Sequence, residues 1–193
     1  MEFTVVLILA YFIGSISFGI VFSKLFKLKD PRSFGSKNIG ATNVMRSGKK
    51  LPAVLTLLGD LLKGSVMIIL CQYLGFAKNE IFLVAGAVFL GHLFPIYHKF
   101  KGGKGVATAF GILLIIHSKI ALMVLATWIF IFLITRISSL SALSAAIVLP
   151  IIAYLMNTET GFIYLSLFLS LLLIYRHKQN IQNLLQRQES KFH

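Results

Sequence analysis

The chain has 193 residues, of which 57% are hydrophobic and only 13% charged, with a mean hydropathy of +0.85. Soluble domains carry about 25% charged residues, so an ordinary soluble globular protein is excluded. The net charge of +13 does not point to nucleic acid, because no basic helix repeat or aromatic-interleaved basic patch is present; basic cytoplasmic loops of a membrane protein account for it.

Apolar blocks recur along the whole length, at 3–22, 51–75, 81–97, 106–116, 120–134, 140–156 and 161–175. They predict an all-α integral membrane protein of about seven short transmembrane helices, forming a single polytopic domain over 1–193. The block at 106–116 is the shortest, and a buried helix that does not cross is its alternative reading. The N-terminus lacks the basic flank of a signal peptide, so the first segment is expected to be retained. Cys71 is the one cysteine and lies in an apolar run, which leaves no intrachain disulfide and no metal-ligand cluster.

Loop charge tests the count. With seven spans, all of the basic residues fall on one side except Lys78, Lys119 and the intraspan Lys63. Positive loops stay cytoplasmic, which places the N-terminus outside and the C-terminus inside.

Three polar constellations share that predicted cytoplasmic face. In the first, at 35–46, Gly35 and Gly40 allow tight turns, while Ser36, Asn38, Thr42 and Asn43 offer neutral hydrogen bonds. Lys37 adds charge, and Arg46 can grip phosphate with its guanidinium fork. An ordinary basic loop facing lipid headgroups is the plainer alternative. The second follows His92 and contains Lys101, Gly102, Gly103, Lys104, Gly105 and Thr108. Glycines let backbone N–H groups approach a ligand, and the next helix adds its N-terminal partial charge. This is a phosphate cradle but no nucleotide P-loop: Gly105 stands where Ser or Thr is required, and His98 where the first glycine is. The third is Arg176, His177, Lys178, Gln179 and Asn180, leading to Glu189 in an amphipathic tail suited to the membrane interface. His177 and Asn180 share a helix face. His117 and His193 receive no role, and His98 reads as interfacial.

Asp60 and Lys63 are three apart within a span and can pair on one helix face. Ionisable groups at such depth are costly and usually functional, although a structural ion pair is an equal reading. The only aspartates are Asp30 and Asp60, so the His-x-x-x-x-Asp pair of many acyltransferases is absent. No Ser-His-Asp arrangement and no metal set stands out.

Taken in order, these segments resemble the bacterial acyl-phosphate:glycerol-3-phosphate acyltransferase family (PlsY-type). The likeness covers nearly the whole chain: Gly14-Ser-Ile-Ser-Phe-Gly19, Gly35 to Asn43 with Arg46, Asp60-Leu-Leu-Lys-Gly64, Gly91-His-Leu-Phe-Pro95, Lys101 to Thr108, Ser138-Ser139-Leu140, and His177 to Ile181 with Glu189. The resemblance implies acyl transfer from acyl phosphate to glycerol 3-phosphate in the bacterial inner membrane, on the cytoplasmic side and without a cofactor. It implies activity roles for Ser36, Arg46, His177, Asn180 and Glu189, and a glycerol 3-phosphate role for the loop around Lys104. The wider candidate site adds Lys37, Asn38, Gly40, Thr42, Asn43, Asp60, Lys63, His92, Lys101, Gly102, Gly103, Gly105, Thr108 and Ser139. The family tail often carries Arg and Gly where this chain has Asn183 and Arg187. A secondary transporter would also use glycine-interrupted helices and buried ionisable groups, but no inverted repeat is evident.

Overall fold

A computed structural model of the protein describes residues 2–191. The chain separates into two compact units, 1–115 and 116–193. The first contains α1 (Phe3–Gly14), α2 (Phe18–Leu25), α3 (Ala41–Met45), α4 (Lys50–Tyr73) and α5 (Lys78–Leu93), and α6 (Val106–Ile116) closes it. The second contains α7 (Ser118–Thr135), α8 (Ser138–Leu155), α9 (Thr160–Arg176) and α10 (Lys178–Leu185). No strand occurs among the described residues.

All seven apolar blocks are helical, but they do not all reach membrane-spanning length. Among the described residues, four helices are long and apolar enough to cross, and two bent pairs raise that to six. The first bent pair corrects the expectation of one continuous segment over 3–22. At Gly14 the helix ends, and α2 resumes at Phe18 with a bend of 46°. Ser15 turns its hydroxyl back onto the Tyr11 carbonyl at 2.9 Å, and Lys63 of α4 donates to the freed Ile16 carbonyl at 2.8 Å. The Gly-Ser-Ile-Ser run is the signal for this break. The second pair, α9 and α10, bends by 60°. With 11 residues, α6 rises about 16 Å, roughly half of a hydrocarbon core.

Side chains sort in the sense expected for lipid solvent. On α4 the inward face is Ala53, Thr56, Gly59, Asp60, Lys63, Gly64, Met67 and Cys71, whereas Leu57, Leu58, Leu62, Val66 and Ile69 point outward. Lipid tails are as apolar as leucine, so helix association rests on close backbone approach and internal polar contacts. Two crossings in the first unit show this. A Cβ at Gly14 would meet the Val88 carbonyl, and one at Gly91 the Tyr11 carbonyl, so α1 and α5 touch backbone to backbone. Likewise a Cβ at Gly64 would lie 2.6 Å from the Thr108 carbonyl, and one at Gly111 would meet that of Leu61. Ser65 completes the α4–α6 crossing by donating to the Gly111 carbonyl at 2.9 Å.

Substituting Gly111→Leu should therefore destabilise the protein by about 1–3 kcal/mol, the usual cost of overpacking. A detergent thermal melt that matches wild type would refute this account of the crossing.

In the second unit α8 carries Pro150 inside the helix, a residue that membrane helices tolerate when neighbours re-satisfy the backbone. Its buried face is rich in small residues: Ser139, Ser141, Ala142, Ala145, Ala146 and Ala153.

Candidate functional site

The first polar segment folds around one side chain. Asn43, on α3, is 1% exposed. Its amide nitrogen donates towards the carbonyls of Pro31 at 2.7 Å, Asn38 at 2.9 Å and Phe34 at 3.2 Å. Its amide oxygen accepts from the Ser36 backbone N–H at 2.9 Å. Gly35 and Lys37 flank Ser36 with left-handed φ of 55° each. The resulting turn presents Ser36 and Lys37 outward, both exposed. Arg46 runs alongside, because a Cβ on Gly35 would lie 3.1 Å from its Cδ and 3.5 Å from its Nη1. Gly40 caps α3, and Asn38 and Thr42 are half-buried. At the head of the segment the Arg32 guanidinium bonds Asp30 and holds its carboxyl below the usual aspartate range. That pair is surface-exposed and closed on itself.

The second segment rests on His92. Its carbonyl accepts from the Gly103 N–H at 3.1 Å, and its imidazole lies where a Gly103 side chain would be. Gly102 is wedged against the His92 and Leu93 carbonyls, and Gly105, at φ 88°, against the Phe89 ring. Those three glycines are therefore imposed by space and, at Gly105, by backbone conformation. Lys101 is exposed and Lys104 half-buried. The α6 helix opens immediately after Gly105, and Thr108 donates to the Asp60 carbonyl at 2.9 Å.

Beneath this loop Lys63 pairs with Asp60, Nζ to Oδ1, at 2.9 Å, and the side chains are 2% and 4% exposed. His92 Nδ1 sits 3.5 Å from the same carboxylate oxygen. The ion pair thus links α4 to the break between α1 and α2 through Lys63 and lies 3.5 Å from His92 of α5, while α6 is tied to the Asp60 backbone. Asp60 and Lys63 are turned onto each other, and Lys63 also donates to the Ile16 carbonyl.

In the second unit the tail is organised by Glu189. Its carboxylate accepts from Asn180 at 2.7 Å, Ser139 at 2.8 Å and Asn183 at 3.2 Å. The chain reaches these partners through a turn that ends α10: Gln188 N–H donates to the Asn183 carbonyl at 2.7 Å and Arg187 N–H to that of Leu184 at 3.1 Å. This pattern requires a left-handed residue after the cap, usually glycine; here it is Arg187, with φ 57°. The departures at 183 and 187 thus leave the geometry standing, because Asn183 still donates to Glu189. Arg187→Gly should remove the left-handed penalty and stabilise the protein by about 0.5–1 kcal/mol net of glycine's entropy. An unchanged or lower melting midpoint would contradict this.

His177 is 2% exposed, and its Nδ1 lies 2.8 Å from the Leu173 carbonyl. A carbonyl only accepts, so Nδ1 carries the proton and Nε2 of the neutral ring is the basic nitrogen. Asn183, the Ile16 carbonyl and the Leu173 carbonyl were not legible as site parts, since two are backbone groups and the third matters only through a turn.

Outward leucines, inward polar groups and several long apolar helices define a multi-pass integral membrane protein. The model of the glycerol-3-phosphate acyltransferase family matches residues 4–187. The chain is 53% identical to the glycerol-3-phosphate acyltransferase of Methylobacillus flagellatus, over 100% of this chain and 98% of that one. It is 53% identical to the enzyme of the same description from Cupriavidus necator, covering 94% and 92%. A crystal structure of PlsY, an integral membrane glycerol 3-phosphate acyltransferase in its glycerol 3-phosphate form, superposes with TM-score 0.94 at 36% identity, over 99% and 96% of the two chains. The lysophosphatidic acid form of PlsY gives 0.91 at 35% identity, over 99% and 95%. The protein belongs to the glycerol-3-phosphate acyltransferase family of PlsY type.

Proposed function

We propose that the protein transfers a fatty acyl group from acyl phosphate to the sn-1 hydroxyl of glycerol 3-phosphate, giving lysophosphatidic acid and inorganic phosphate. The hydroxyl oxygen attacks the acyl carbon, the bond from that carbon to the phosphate oxygen breaks, and phosphate leaves. The hydroxyl proton passes to a base. Acyl phosphate is a mixed anhydride with a good leaving group, so positioning and charge stabilisation suffice. The single observation that carries the reading is membership of the glycerol-3-phosphate acyltransferase family over residues 4–187.

Arg46, Lys37, Lys101 and Lys104 hold phosphate, with the amides around Gly102, Gly103 and Gly105. Ser36 and Asn38 are the neutral donors for the developing oxyanion. His177 Nε2 takes the proton. Basic loops and their asymmetry support a cytoplasmic active site and C-terminus, an outside N-terminus and a seventh crossing through α6 in the bacterial inner membrane.

The test uses the purified protein with palmitoyl phosphate and glycerol 3-phosphate, following phosphate and lysophosphatidic acid together. Equal release of both is expected, unsupported by acyl-CoA or acyl carrier protein. Lys104→Ala should cut kcat by about 10²–10³. Absence of product from folded wild-type protein would sink the reading.

A further inference from the structure

We infer that Asn43 is a positioning residue that acts through Ser36, with its side chain serving as the core of the loop and making no substrate contact. The inference rests on the acyltransferase reading for its kinetic part and on geometry alone for the rest. Between Pro31 and Gly40 the backbone belongs to no α-helix, so its polar groups need partners from elsewhere. The Asn43 amide supplies them. Two N–H bonds reach the carbonyls of Pro31, Phe34 and Asn38, and the amide oxygen takes the Ser36 N–H. With both ends of the amide committed to backbone and 1% exposure, nothing of it is left to meet a ligand.

The same oxygen also packs where a Gly35 side chain would sit, beside the Arg46 chain. Asn43 therefore sets both the height of Ser36 above α3 and its spacing from Arg46. No other uncharged side chain of this size both donates and accepts across such a span. Aspartate has the same shape and could still accept from Ser36. It would, however, turn a carboxylate oxygen towards three carbonyl oxygens in a buried site, so the turn must open. Displacement of a reacting group by about 1 Å costs on the order of 10²-fold in rate.

Two measurements on the full-length protein in detergent test this. The first is hydrogen exchange in peptides covering 31–38 and α4, in wild type, Asn43→Asp and Asn43→Ala. Faster exchange in 31–38 with α4 unchanged is expected; unchanged exchange in 31–38 in either variant overturns the inference, with or without activity. The second is a kinetic cycle with Ser36→Ala. Asn43→Asp should lower kcat about 10²-fold per folded enzyme, and the double variant should be no slower than Ser36→Ala alone. A purely structural role would make the two losses multiply, and that outcome also overturns it. Should Asn43→Asp not fold, Asn43→Ala takes its place in the cycle. Wild-type enzyme without product would instead count against the acyltransferase reading and leave the exchange result to decide on Asn43.

Discussion

His177→Ala should lower kcat by about 10²–10⁴, the range for a lost general base, with the KM for glycerol 3-phosphate little changed. The bond from Nδ1–H to the Leu173 carbonyl leaves Nε2 as the basic nitrogen of the neutral ring. Truncation also removes that bond and leaves a buried gap, worth about 0.5–1.5 kcal/mol for the hydrogen bond. Rates must therefore be normalised to folded protein by a melt. A raised KM with unchanged kcat would make His177 a binding residue, and the proton would then pass to a substrate phosphate oxygen.

The second large effect concerns Asp60 and Lys63. Removing one partner leaves a buried charge without compensation, so Lys63→Met or Asp60→Leu alone should cost about 3–5 kcal/mol. The double variant should recover much of this, because neither charge then has to be desolvated. Independent effects would add instead, so a double variant as unstable as the sum of the singles would exclude the ion-pair account. The double variant also separates scaffold from substrate contact. If the pair only supports His92 and the glycine-lysine loop, activity per folded molecule survives. If either side chain meets substrate, activity is lost although stability returns.

These tests lean on different levels of information. That the chain is helical and membrane-embedded follows from hydropathy alone, since burying long apolar blocks in a bilayer needs no knowledge of their partners. The glycine-lysine loop stood out because three glycines around a lysine are rarely required by a turn alone; the structure shows that contact with His92, Leu93 and Phe89 imposes them. The i,i+3 spacing of Asp60 and Lys63 already implied a shared face, and the structure pairs them at 2.9 Å. Glu189 closed the third polar constellation, but a role for it came only through resemblance; its acceptance of three hydrogen bonds depends on a left-handed Arg187 that no periodicity signals.

Sequence by itself determined what is local or periodic: membrane class, helix content, loop charge and the family motifs. Tertiary structure decided what satisfies the break after Gly14, because Lys63 arrives from 47 residues away to donate to the freed Ile16 carbonyl. It also decided that Asn43 faces inward to the loop and that Gly103 yields its side-chain space to the His92 ring. Each of these depends on which group fills a given volume or hydrogen bond, and that is fixed only when distant segments pack.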